Sequence, residues 1–205
     1  MKLKKIFLLF IIFVITSMLY TVCADDVDEE DENVENYVQE NVIDVVSKNI
    51  SSIPTLNSRK CVIYDRTSKT VIYGKNETVK TEMASTTKIM TAIIVLENSN
   101  LKDTVTVSAK AGGTGGSRLG LKKGDKTTVN DLLYGLMLRS GNDAAVALAE
   151  HVGGSIQGFA ELMNKKAEEL NLNNTHFVTP HGLDDSNHYT TALELAKLAD
   201  YAMQN

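Results

Sequence analysis

The sequence predicts one β-hairpin and then mostly helices, an order that few folds accommodate. Two β-rich runs, 60–64 and 70–73, flank the polar turn 65–69 and predict the hairpin. Apolar residues then recur at helical spacing in the segments 84–97, 131–138, 144–152, 155–170 and 191–201, with one short strand at 104–108. Two strands rarely form a stable sheet alone, so an α+β domain of this kind needs strands beyond those recognisable here.

The first 24 residues have the features of a secretory signal peptide. Three lysines lie within the first five residues, 6–22 is almost wholly apolar, and Cys23 and Ala24 offer small residues for cleavage. We therefore expect an exported, extracytoplasmic protein of the cell envelope. The alternative is an uncleaved membrane anchor, because 17 apolar residues approach a membrane-spanning length.

An acidic leader, residues 25–54, is expected to follow the signal peptide. The segment 25–44 contains ten carboxylates and no lysine or arginine, which predicts a solvated leader that is partly disordered or helical. Without the first 24 residues the chain has 18 lysines and arginines against 26 acids. Such a balance argues against nucleic acid as a partner, because nothing neutralises its phosphates.

Cysteine and histidine usage predicts neither a disulfide nor a metal site. Signal-peptide cleavage would leave Cys61 as the only cysteine, in a strand that we expect to be buried. His176, His181 and His188 lack the spacing of zinc ligands, so we expect them to serve loop structure.

Ser85 and Lys88 form the first candidate for chemistry. Residues three apart share a helix face, so the amine of Lys88 can reach the hydroxyl of Ser85. If burial lowers the pKa of the lysine, its neutral amine can act as the base that takes the serine proton. The pattern alone is weak, because Ser99 and Lys102 have the same spacing just beyond the helix end. For Ser85 by itself, an ordinary capping or core-facing hydroxyl is the competing interpretation.

Ser140, Gly141 and Asn142 form the second candidate, between two apolar helices and 55 residues after Ser85. A hydroxyl and an amide on a tight turn suit proton relay and the binding of a substrate amide. Taken alone, the same residues also fit a plain interhelical turn.

Together these motifs resemble the low-molecular-mass penicillin-binding proteins, serine D-Ala-D-Ala carboxypeptidases of the S11 peptidase family. The resemblance runs over about residues 55–205. The segments that carry it are Ala84 to Ala92, Leu132 to Ala145, Thr175 to Phe177, Pro180 to Asp184 and the helix from Thr190 to Asp200.

The resemblance implies a function and a role for each motif residue. Ser85 would be the acylated nucleophile, Lys88 its general base, Ser140 the relay to the leaving D-alanine and Asn142 a contact to the substrate amide. The substrate would be peptidoglycan stem peptides, with β-lactams as covalent inhibitors, no cofactor and no metal. The implied fold is the serine β-lactamase and penicillin-binding-protein transpeptidase type, an antiparallel sheet flanked by helices, and peripheral membrane association is compatible with it.

One departure from the family pattern is the third motif, Lys-Thr-Gly or Lys-Ser-Gly on a later strand, which this sequence does not contain. The resemblance therefore implies a catalytic domain, 55–205, that is C-terminally truncated and lacks this strand. A β-lactamase or transpeptidase on the same scaffold, and a non-catalytic truncated remnant, are the alternatives that the sequence leaves open.

Overall fold

The computed structural model describes residues 56–183 and 185–204, so the predicted signal peptide and acidic leader lie outside the described residues. The elements, in chain order, are β1 (Cys61–Asp65), β2 (Thr70–Lys75), a 3₁₀ turn (Ala84–Thr87), α1 (Lys88–Asn98), β3 (Thr104–Thr106), α2 (Ala109–Gly112), β4 (Lys126–Thr128), α3 (Val129–Arg139), α4 (Asn142–Gly153), α5 (Ile156–Glu169) and α6 (Ala192–Ala202). Within the described ranges, no helix is long and apolar enough to cross a membrane.

The predicted hairpin is present, and its turn is held by one carboxylate. Strands β1 and β2 pair antiparallel from Cys61 opposite Lys75 to Asp65 opposite Thr70. Asp65 accepts hydrogen bonds from the Thr67 and Ser68 amides at 2.9 and 3.3 Å, and the Ser68 hydroxyl adds another. These bonds, led by that of the Ser68 hydroxyl, lower the pKa of Asp65.

The hairpin is less buried than the sequence predicted. Cys61 is only half-buried and Ile63 is exposed, so the expectation of a buried strand is wrong. The hairpin docks against α6, where Asp200 pairs with Arg66 at 2.9 Å and with Lys69 at 2.5 Å. These ion pairs lower the pKa of Asp200, and the pair with Lys69 has the larger effect. One face of the hairpin therefore remains open to solvent.

A second two-stranded antiparallel sheet is formed by segments that follow α1 in the sequence. Its strands, β3 and β4, pair from Thr104 opposite Thr128 to Thr106 opposite Lys126. The sequence predicted β3 but not β4. Strand β4 has only three residues, all of them polar, so it lacks the alternation of apolar residues by which a strand is recognised. It is a strand because it pairs with β3, which lies some 20 residues earlier in the sequence.

The helices pack around α1, which is buried on nearly all sides over its first two turns. Met90 and Val95 are fully buried, and α1 contacts α3, α4, α5 and α6. Helix α4 is rich in alanine, and small side chains let helix axes approach closely. The core therefore fixes α1, and with it the turn that precedes α1.

Four helices begin at a hydroxyl residue that caps them. Ser108, Thr128, Ser155 and Thr191 each accept a hydrogen bond from the amide three residues further on. The capping box predicted at Thr191 is only half present, because the Glu194 carboxylate binds the Asn174 amide, at 2.9 and 3.0 Å, instead of returning to its own helix.

Candidate active site

Ser85 lies in the 3₁₀ turn that leads into α1, rather than in the α-helix that the periodicity predicted. The residue before it, Ala84, has a φ of 43°, in the left-handed region that residues with a side chain rarely adopt. Gly182 packs directly on this residue, since a Cβ at position 182 would lie 1.8 Å from the Ala84 carbonyl oxygen. The loop that carries Gly182 therefore holds the serine turn in its unusual conformation.

Lys88 is fully buried, with its amine between Ser85 and a backbone carbonyl. Its Nζ lies 3.1 Å from the Ser85 Oγ and 3.0 Å from the His181 carbonyl oxygen. Burial disfavours the charged amine and lowers the pKa of Lys88 to about 8. A larger fraction of the molecules therefore holds Lys88 neutral at pH 7 than for an exposed lysine, able to accept a proton from Ser85.

Ser140 is the second side chain that contacts the Ser85 hydroxyl. It ends α3 with a φ of 52° and a ψ of 36°, and its hydroxyl donates to the Ser85 Oγ at 3.0 Å. A non-glycine residue in this region costs roughly 1–3 kcal/mol, which the surrounding structure must offset. The structure thus brings three of the predicted residues together, with the Ser85 Oγ between Lys88 and Ser140.

Asn142, the fourth predicted site residue, is turned toward a glycine-rich loop. The side-chain amide of Asn142 donates to the Gly115 carbonyl oxygen at 2.8 Å, and its backbone amide donates to the Ser117 carbonyl oxygen at 2.7 Å. The residue is 4% exposed. Its contact with a substrate amide stays a prediction. What the described contacts establish is that Asn142 fixes the loop beside the three-residue cluster.

Asp143 holds the same loop and was missed by the sequence analysis. Its carboxylate is fully buried and accepts the backbone amides of Leu119, Gly120 and Leu121 at 3.0, 2.9 and 3.0 Å. A buried carboxylate is tolerated when such donors surround it. The only sequence signal was an acid beside Asn142 at a helix start, which also fits ordinary stabilisation of the helix dipole.

Two histidines tie the 176–188 loop to the nucleophile turn. His188 Nδ1 accepts the Val178 amide at 2.9 Å, so its Nε2 carries the proton and donates to the Thr87 Oγ1 at 2.8 Å. His181 supplies the carbonyl that binds Lys88. Burial lowers the pKa of both imidazoles to about 4, so both are neutral at pH 7. Sequence reasoning placed both in the loop but missed their link to Thr87 and Lys88.

Among residues 56–183 and 185–204, no group of three or more histidines, cysteines, aspartates or glutamates is placed to hold a metal ion. What the arrangement can do is hold a serine hydroxyl between a buried amine, which can take its proton, and a second hydroxyl, which can pass one on.

Residues 47–205 match the family model of the peptidase S11 family, which is described as D-alanyl-D-alanine carboxypeptidase. Similar curated proteins include the D-alanyl-D-alanine carboxypeptidases DacF of Bacillus subtilis and DacC of Escherichia coli, each 40% identical over 69% and 71% of this chain. These matches span 38% and 39% of the two relatives, so the chain covers about two fifths of their length.

The structure is also similar to solved structures of penicillin-binding proteins and DD-transpeptidases. Penicillin binding protein 5 from Haemophilus influenzae superposes with a TM-score of 0.72 at 34% identity, over 75% of this chain and 47% of that one. The Streptomyces K15 DD-transpeptidase superposes with a TM-score of 0.71 at 37% identity, over 75% of this chain and 63% of that one. The fold is therefore the predicted α+β penicillin-binding-protein type, of which the chain covers a part.

Proposed function

The chain belongs to the S11 family of D-alanyl-D-alanine carboxypeptidases, and from this premise we propose that it removes the terminal D-alanine from peptidoglycan stem peptides through an acyl-enzyme on Ser85. The observation that carries the proposal is the Ser85 Oγ, held 3.1 Å from the Lys88 Nζ and 3.0 Å from the Ser140 Oγ. The family match names a substrate class, and this cluster supplies a nucleophile with a base.

Acylation begins with the neutral form of Lys88. Its amine takes the Ser85 proton while Ser85 Oγ attacks the carbonyl carbon of the penultimate D-alanine. The peptide C–N bond then breaks, and the proton passes from Lys88, by way of Ser140, to the amine of the departing D-alanine. Ser85 is left esterified to the shortened peptide, with Lys88 neutral again.

Deacylation uses the same groups in reverse order. Water donates a proton to neutral Lys88 and attacks the ester carbonyl, after which the proton returns to Ser85 Oγ as the C–O bond breaks. Because Ser85 precedes the first turn of α1, the helix dipole favours the negative charge that develops on the carbonyl oxygen in both steps.

β-Lactams are the second ligand class in this proposal. Attack by Ser85 on the lactam carbonyl opens the ring by breaking its C–N bond, and the leaving amine stays attached to the acyl group. The ring nitrogen takes the proton from the same relay. The similarity to penicillin binding protein 5 from Haemophilus influenzae, at 34% identity, supports this reaction.

Transpeptidation is a second candidate, favoured by the likeness to a DD-transpeptidase at 37% identity. Its acylation half is identical, and only the acceptor differs, an amine instead of water.

The site would lie outside the cytoplasm, since the features of residues 1–24 that predict a signal peptide support export to the envelope, where such peptides are found.

Release of D-alanine from a diacyl-L-Lys-D-Ala-D-Ala peptide tests the proposal. The chain should release D-alanine, Ser85→Ala should not, and Ser99→Ala should match the unaltered chain. Ser99 is the matched control, because it has the same spacing to Lys102 but its hydroxyl is bound to the Val95 carbonyl beyond the end of α1. Adding glycine as acceptor separates the two activities: a glycine-terminated product identifies transpeptidation.

Retention of D-alanine release by Ser85→Ala would refute the assignment of the nucleophile. Equal loss in both serine variants would show that the assay reports stability, not chemistry.

A further inference from the structure

A basic groove of about 1030 Å³ lies beside the hairpin, and the proposed chemistry does not use it. It is formed by residues that precede β1, by the end of β2 with the segment after it, and by the 185–189 loop. The charged residues that line it are four cations, Arg59, Lys60, Lys75 and Lys80, and two acids, Glu82 and Asp185.

The basic groove has more cations than acids, and the described contacts of its lysines are not with acids. Lys60 donates to the Lys80 carbonyl oxygen at 3.2 Å, Lys75 donates to that of Leu56 at 3.0 Å, and the Lys80 amine lies 4.1 Å from the centre of the Tyr189 ring. None of these partners is an acid. Within the part of the chain that the structure describes, no salt bridge involves any of the four cations.

The complementary charge is concentrated in one segment of the same chain. Residues 25–44 contain ten aspartates and glutamates and no lysine or arginine. Residues 56–205, by contrast, contain 17 lysines and arginines against 16 acids. The net negative charge of the chain after residue 24 therefore comes from the segment 25–44.

Connectivity places this segment within reach of the basic groove. Eleven residues, 45–55, separate it from Leu56, whose carbonyl already accepts the Lys75 amine. Eleven residues extend to about 40 Å at most. A tether of this length gives an effective concentration that can reach the millimolar range, so weak ion pairs suffice for occupancy.

We propose that residues 25–44 bind in the basic groove as an intramolecular ligand. Another lysine cluster, Lys122, Lys123 and Lys126, is exposed on the turn before β4 and at the first residue of that strand, and it does not line this groove. The groove is distinguished from that cluster by its concave shape, which brings charges from three segments toward one ligand.

Carbodiimide cross-linking of the purified full chain, with the joined peptides mapped by mass spectrometry, tests this contact directly. We expect carboxylates of 25–44 to be joined to Lys60, Lys75 or Lys80 with at least tenfold the yield found for the turn cluster, Lys122, Lys123 and Lys126. The yield should fall at least threefold in 1 M NaCl, where the screening length shrinks to about 3 Å. It should not depend on protein concentration, because the contact is within one chain.

Three variants provide the controls. Lys60→Gln/Lys75→Gln/Lys80→Gln should abolish the groove cross-links, whereas Lys122→Gln/Lys123→Gln/Lys126→Gln should leave them unchanged. A leader variant with Asp28→Asn, Glu29→Gln, Glu30→Gln, Asp31→Asn and Glu32→Gln leaves the groove untouched. In it, acetylation of the groove lysines by acetic anhydride should rise at least threefold, with no change at the turn cluster.

Equal yields at the two lysine sets, or unchanged acetylation in the leader variant, would overturn the proposal. Protection of the groove lysines by added polyphosphate, with unchanged acetylation in the leader variant, would assign the groove to an external polyanion instead. Neither measurement uses catalysis, so a failed carboxypeptidase assay would leave this result intact.

Discussion

Replacing Gly182 with alanine should separate the nucleophile turn from the loop that holds it. A Cβ at this position would lie 1.8 Å from the Ala84 carbonyl oxygen and 2.6 Å from the Thr87 Oγ1, although real contacts essentially never fall below 3.0 Å. The two segments must therefore move apart by roughly 1 Å. Gly182 also has a φ of 83°, which adds a conformational cost of about 1–2 kcal/mol for alanine.

Gly124→Ala is the matched control, because Gly124 has a φ of 93° but no atom within 4 Å of its Cβ position. We expect the control to lose about 1–2 kcal/mol of unfolding free energy in urea. Gly182→Ala should lose about 1–3 kcal/mol more through overpacking. A misplacement of about 1 Å at a reacting group can slow a reaction by about 10²-fold. Acylation by a fluorescent penicillin should therefore slow by that factor in Gly182→Ala alone.

Equal acylation rates in the folded Gly182→Ala and Gly124→Ala variants would refute this reasoning. Such a result would mean that the loop can yield without moving Ser85.

Four further predictions concern the residues around Ser85 and the loop beside them. The acylation rate should rise with pH up to about 8 and then level off, because the neutral fraction of Lys88 rises with pH; a flat stopped-flow profile from pH 6 to 9 would contradict this role. The same lowered pKa means that the unfolded chain binds this proton more tightly, so the unfolding free energy, relative to Lys88→Met, should rise from pH 8 to 10.5. Ser140→Ala should slow acylation by about 10²- to 10⁴-fold with little change in urea stability, as expected for a proton relay, and an unchanged rate would exclude the relay. Asp143→Asn should cost about 2–3 kcal/mol of unfolding free energy, because an amide nitrogen would face backbone donors, and a loss below 0.5 kcal/mol would show that the loop does not depend on the carboxylate.

The elements that the sequence revealed best are those encoded by local rules. Thr191 was recognised as a cap because its hydroxyl accepts an amide three residues away, a contact set by spacing alone. Glu194 shows the limit of the same rule, since its carboxylate has left its own helix for the Asn174 amide. Local spacing predicts which partners are near, while the tertiary fold decides which partner is bound.

The candidate site divides along a similar line. Ser85, Lys88 and Ser140 could be found because their chemistry depends on side-chain type and on a recognisable motif. The His181 carbonyl that binds Lys88 could not, because every residue has a carbonyl and only the loop conformation directs this one to the amine. The left-handed backbone at Ser140 likewise follows from tertiary contacts and not from the serine itself.

Intact-mass analysis after incubation with benzylpenicillin tests the central claim most directly, namely that Ser85 is a nucleophile activated within this cluster. The folded chain should gain the mass of one penicilloyl group, located on the peptide that contains Ser85 and absent from Ser85→Ala. The Ser99→Ala control should acquire the adduct at the unaltered rate. An adduct that persists in Ser85→Ala, or no adduct on the folded chain, would contradict the account.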